Sequence, residues 1–143
     1  MARIDFAFGA TEKIAQACQT TLKQYRAGHK LVVYCSDAQR LKAFDTKLWA
    51  VEPSAFVPHV LANDPLAGQT PIWLVAGELE QTLARAPAGA WLLNLDDQCP
   101  PTLGDAARVL EIVSEDEDDK TAARARWAQY KAAGHDLKAH RLA

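Results

Sequence analysis

No stretch of this 143-residue chain holds the roughly 18 consecutive apolar residues of a transmembrane helix, so no spanning segment is expected. Cysteine is scarce. Cys18, Cys35 and Cys99 are too few and too scattered for a disulfide framework, and no CxxC pair suggests zinc. The four histidines show no HxxxH spacing, so neither a metal nor another cofactor is expected. The glycine-rich signatures of nucleotide binding, GxGxxG and GxxxxGK[ST], are missing, as is the GxSxG elbow of a serine hydrolase. The opening MARIDFAFGATEK puts an acid inside its apolar stretch and lacks a signal-peptide layout, so a cytoplasmic location is expected. Repeats, linkers and low-complexity tracts are absent too, and residues 1–143 are expected to form one domain.

The net charge of -2 gives the whole molecule no general pull on nucleic acid. Its distribution is uneven. Residues 1–119 carry 10 Lys and Arg against 17 Asp and Glu, while residues 120–143 carry six basic residues and the single acid Asp136.

Strand and helix patterns alternate. ARIDFAFG (Ala2–Gly9) reads as a strand, and Thr11 opens an amphipathic helix to about Ala27, closed by Gly28. KLVVYC (Lys30–Cys35) is a continuous apolar run, the pattern of a strand buried on both faces. Ser36 or Asp37 caps a second helix to about Trp49. PIWLVAG, AWLLNL and RVLEIV read as strands, ELEQTLARA as a short helix, and a last helix follows Ser114. The order predicts an α/β, Rossmann-like three-layer domain with a mostly parallel central sheet and no nucleotide site.

Cys35 ends a strand where a helix begins, a position that favours a reactive thiolate. With Arg40 it resembles a thiol-phosphatase loop, and a small thiol-dependent hydrolase is the alternative reading. The spacing Cys-x4-Arg is one residue short, the loop lacks glycine, and Asp37 repels a phosphate. Asp96 and Asp97 sit at a strand end, where turn and capping roles explain them as well as a metal does.

Two stretches have the composition of binding surfaces. LWAVEPSAFVPH (Leu48–His59) places Trp49 and Phe56 in a proline-bearing loop, with about 150–250 Å² of surface on each aromatic. Prolines stiffen such a loop and reduce the entropy lost on docking a partner. The other reading is that these aromatics plug the domain's own core.

SEDEDDKTAARARWAQYKAAG (Ser114–Gly134) is the second. Ser114 and Glu117 fit a capping box, the acids suit the positive end of the helix dipole, and Gly134 fits the C-terminus. Lys120, Arg124, Trp127 and Lys131 fall within about 60° of one another on a helix. The opposite side carries Ala122, Ala125 and Ala133, small residues suited to packing on a sheet, and Arg126 and Gln129 interrupt it. A solvated basic face explains the cations well and Trp127 poorly, and on spacing alone it stays open beside a binding site. A ligand with an apolar group and negative charge explains both, with affinity of roughly micromolar order.

LWAVEPSAFVPH followed by RWAQYKAAGHDL resembles the chi subunit family of bacterial DNA polymerase III. The resemblance implies a non-catalytic clamp-loader accessory subunit on a Rossmann-like fold. It implies a psi-subunit surface, shared with an XPD-like helicase, at Trp49, Phe56, Val57 and Pro58. It also implies a site for the acidic, Phe-ending C-terminal tail of single-stranded-DNA-binding protein at Lys120, Arg124, Trp127 and Val113. Nucleic acid is reached only indirectly, and no membrane is involved. Two departures stand out. Trp127 replaces an expected Tyr, and Ala128 replaces an expected cation, for which Arg126 or Lys131 would have to compensate.

Overall fold

The computed structural model describes residues 2–52, 54 and 56–142. Pro53, which the sequence places in the rigid aromatic loop, lies outside the described residues. Eleven principal elements follow one another: β1 (Arg3–Ala10), α1 (Lys13–Arg26), β2 (Leu31–Tyr34), α2 (Ala38–Leu48), β3 (His59–Leu61), β4 (Ile72–Val75), α3 (Leu79–Arg85), β5 (Trp91–Asn94), β6 (Arg108–Ser114), α4 (Glu117–Ala132) and β7 (Asp136–Arg141). The strands form one sheet in the order β3-β4-β2-β5-β6-β1-β7, and every pairing is parallel.

Strand alternation sorts the core into two layers. Leu31, Val33 and Cys35 on one side of the sheet join Leu22 of α1 and Phe44 and Leu48 of α2. Val32 and Tyr34 on the other side join Leu79 of α3 and Ala123 and Tyr130 of α4. The fold is therefore the expected Rossmann-like α/β three-layer arrangement, with its sheet parallel throughout.

Two strands go beyond those expected from the sequence. β3 is only three residues long and directly follows Pro58. β7, DLKAHR, is an edge strand paired only with β1, and most of its residues are exposed. Hydrogen bonds to β1 hold it rather than burial, and its Lys138, His140 and Arg141 suit an edge that must not recruit another strand.

Helix α4 corrects two expectations. Its N-cap is Asp116, whose carboxylate accepts from the Asp118 and Asp119 amides, so the Ser114–Glu117 capping box does not form. Ser114 ends β6 instead, and its amide and hydroxyl both donate to Asp119 Oδ2, at 2.7 and 2.9 Å. The packed face is Ala123, Arg126 and Tyr130, not Ala122, Ala125 and Ala133, of which Ala125 and Ala133 are exposed. Gly134 does end the helix, at φ +86°, a left-handed position that glycine accepts without strain.

Arg126 is 1% exposed and faces Glu111, itself fully buried, on β6. Its Nε donates to Glu111 Oε1 at 3.0 Å, and its Nη1 donates to the Asp97 carbonyl at 2.9 Å. Asn94 Nδ2 and the Tyr130 hydroxyl donate to Glu111 Oε2 at 2.8 and 2.6 Å. Burial pushes the Glu111 carboxyl up, against the pull of Arg126 and the two hydrogen bonds. This network ties α4 to β5 and β6 and fixes which side of the helix faces outward.

Candidate functional site: a cationic cleft beside α4

The network turns Arg126 inward, so Lys120, Arg124 and Trp127 lie along the rim of the helix. Between this rim and the sheet lies a cleft of about 370 Å³. Lys120, Arg124, Trp127 and Val113 all line it, which brings together the four residues expected to form one site. Lys131 is exposed, one turn beyond Trp127, and is not among the lining residues. Neither Arg126 nor Lys131 therefore supplies the cation missing at Ala128.

The apolar wall is aromatic. Trp127 meets Phe6 edge to face, with centroids 5.2 Å apart, and Phe6 meets Tyr130 at 5.9 Å. This explains how a tryptophan sits among cations without an apolar cost: one side packs on β1 and the other faces the cleft. Phe8 and Arg141 complete the floor from β1 and β7. Both were missed from the sequence, Arg141 because its strand was missed. The backbone at the mouth turns at Gly9, φ +90°, where the register of β1 against β6 shifts. A Cβ there would stand 3.4 Å from Glu115 Oε1, as well as demanding a strained conformation.

The cations differ in what they already hold. Lys120 Nζ lies 3.2 Å from Glu115 Oε2 and 3.5 Å from Glu117 Oε1. The Glu115 hydrogen bond, followed by the nearby Glu117 charge, raises the Lys120 pKa. Arg124 and Arg141 form no ion pair among the described residues.

The second surface lies at the end of α2. Trp49 is 53% exposed and Phe56 62%, and their rings stack at 5.4 Å. Trp49 also leans on His59 at 4.3 Å. The Nδ1 of His59 donates to the Val57 carbonyl at 2.6 Å, and its Nε2 lies 2.8 Å from Asp45 Oδ1 without hydrogen-bond alignment. Of the four residues assigned to this surface, Trp49 and Phe56 form an exposed ledge and Pro58 is half-buried. Val57 is turned into the core and offers no side-chain surface.

The family model described as DNA polymerase III chi subunit, HolC, matches residues 1–138. The chain belongs to the DNA polymerase III chi subunit family. It is 30% identical over 149 residues to the DNA polymerase III subunit chi of Pseudomonas aeruginosa, covering 99% of this chain and 98% of that one. The Haemophilus influenzae subunit chi is 31% identical over 125 residues, covering 85% and 81%. That of Escherichia coli is 26% identical over 120 residues, covering 84% and 79%. Membership in the chi family assigns the chain to DNA replication.

The thiol-enzyme alternative gains nothing from this chi-family fold. Cys35 is fully buried, its Sγ lies 3.8 Å from the Leu95 carbonyl, and burial pushes the thiol up. Arg40 does not embrace an anion beside it. Its guanidinium donates to the Leu95 carbonyl and to Asp97, each at 2.9 Å, while Asp96 accepts from the Ser36 amide. The Asp96–Asp97 pair thus closes a turn. No described helix is long and apolar enough to cross a membrane.

Asp119 anchors the start of the helix that carries the cleft. Burial alone raises its pKa, but the Ser114 amide and hydroxyl and the Lys13 ammonium at 3.0 Å together bring it below the ordinary aspartate range. A carboxyl with a depressed folded-state pKa stabilises fully above its unfolded value of about 3.9, and loses that contribution as pH falls through the folded value. Asp119→Asn is therefore expected to cost about 1.5–3 kcal/mol at pH 7. Urea titrations of the two proteins should converge as pH falls below the ordinary aspartate range and through the lowered folded-state value. A gap of the same size at neutral and at acid pH would contradict this role.

Proposed function

We propose that this chain is a non-catalytic accessory subunit of the DNA polymerase III holoenzyme, acting in the cytoplasm. In this reading it links the clamp loader, through psi, to the acidic C-terminal tail of single-stranded-DNA-binding protein. The observation that carries the reading is the cleft beside α4, where Lys120 and Arg124 stand next to an aromatic wall of Trp127 and Phe6. A tail that ends in phenylalanine after several acids has the matching chemistry. Its ring goes to the apolar wall, and its carboxylates go to the cations.

The Trp49–Phe56 ledge is the proposed psi surface, with Pro58 at its edge and an XPD-like helicase as a competing occupant. Two large exposed aromatics stacked on each other and backed by His59 make a rigid anchor of the kind that dominates protein interfaces. Nucleic acid is reached through these partners, consistent with the chain's net charge of -2.

Fluorescence anisotropy with a labelled acidic peptide ending in Pro-Phe tests the tail assignment. The wild type is expected to bind with roughly micromolar affinity, and Lys120→Glu and Arg124→Glu to bind more weakly. Equal binding by the wild type and both variants would sink it.

A further inference from the structure

We propose that Arg141, on the edge strand β7, takes the free terminal carboxylate of the peptide; this rests on the tail-cleft reading and adds a residue to it. The register of the sheet supplies the geometry. Phe8 of β1 is paired with Val113 of β6 on one side and with Arg141 of β7 on the other. In a parallel sheet such partners point to the same face, so Val113, Phe8 and Arg141 form one row facing α4. The Arg141 guanidinium lies over the Phe8 ring, 5.6 Å from its centroid. A planar cation is thereby seated on the apolar floor of the cleft, where stacking pre-orients its fork of donors.

The ligand's own chemistry selects this cation. In a peptide ending in an aromatic residue, the terminal carboxylate and the ring are carried by the same Cα. When the ring enters the pocket between Trp127 and the sheet, that carboxylate is drawn down to the floor with it. The acidic side chains that precede it extend outward, towards Arg124 and Lys120 on the helix. Lys120 is already held by Glu115 and Glu117, whereas Arg141 forms no ion pair among the described residues. An arginine fork on a carboxylate is the stronger, bidentate arrangement. Arg141 thus supplies, from a different element, the cation that Ala128 does not.

The test is a two-by-two comparison on the full chain. Peptides with a free carboxylate or a C-terminal amide are titrated against wild type and Arg141→Gln, with Lys131→Gln as a control off the cleft. Amidation is expected to weaken wild-type binding by about tenfold. Arg141→Gln is expected to weaken the free acid by about tenfold and the amide by less than about twofold. Lys131→Gln should match wild type on both peptides. Because Arg141 is exposed, thermal unfolding should be unchanged by its replacement, and this is measured alongside. If Arg141→Gln keeps the wild-type ratio of free acid to amide while Arg124→Glu still weakens binding, Arg141 is not the carboxylate ligand and the cleft reading survives. If the wild type binds neither peptide, the cleft reading itself fails and this inference falls with it.

Discussion

Replacing Arg126 with alanine is expected to cost about 3–5 kcal/mol of folding stability. The reason is what it leaves behind. Glu111 is fully buried, and Arg126 is its only partner of opposite charge within 4 Å among the described residues. Without the guanidinium, the carboxylate must be protonated or left as an uncompensated buried charge. The Asp97 carbonyl also loses a donor, and the cavity left by a large side chain adds to the cost. The paired replacement Glu111→Leu with Arg126→Met removes both charges at once and is expected to recover part of the loss, the remainder being the Tyr130 hydroxyl and Asn94 amide left without their Glu111 acceptor. Urea unfolding of the three proteins checks this. A loss below about 1 kcal/mol for Arg126→Ala would mean that the pair does not tie α4 to the sheet.

Arg124→Glu is expected to weaken the acidic peptide by about a hundredfold or more. A charge-assisted hydrogen bond to a carboxylate contributes about 1.5–3 kcal/mol, and the new glutamate adds repulsion at the same place. Folding should be barely affected, since Arg124 is exposed and without an ion pair among the described residues. Glu115→Gln is expected to act in the opposite direction. It removes the carboxylate 3.2 Å from Lys120 and should tighten binding a few-fold. Anisotropy titrations at two salt concentrations separate these effects, because contacts between exposed charges weaken with salt. Arg124→Glu binding within about threefold of the wild type would remove this residue from the site.

What the sequence revealed follows from where burial leaves a periodic mark. LVVY and IWLV are apolar at every position because both faces of the sheet are covered, so β2 and β4 were legible. DLKAHR is held by backbone hydrogen bonds at an edge, which leave no mark in side-chain type, and with it went Arg141. The stripe Lys120, Arg124 and Trp127 was legible from helical spacing. Its orientation was not, because the packed face contains an arginine, and a buried arginine reads as a surface residue until Glu111 is seen opposite it. A glutamate inside the strand RVLEIV was the available signal. In the aromatic loop, exposure separated Phe56 from Val57, its immediate neighbour, which composition alone could not do.

In the proposed function one cleft, beside α4, receives the acidic tail while the Trp49–Phe56 ledge remains free for another protein. The four tryptophans report on this directly, since Trp127 lines the cleft, Trp49 lies on the ledge, and Trp73 and Trp91 belong to strands β4 and β5. Titrating the acidic Phe-ending peptide into the 15N-labelled chain and following the four indole N–H resonances is the most direct measurement. The prediction is a progressive shift of the Trp127 signal, with Trp49, Trp73 and Trp91 unmoved. A shift at Trp49 with Trp127 unmoved would place the peptide on the wrong surface and contradict the account.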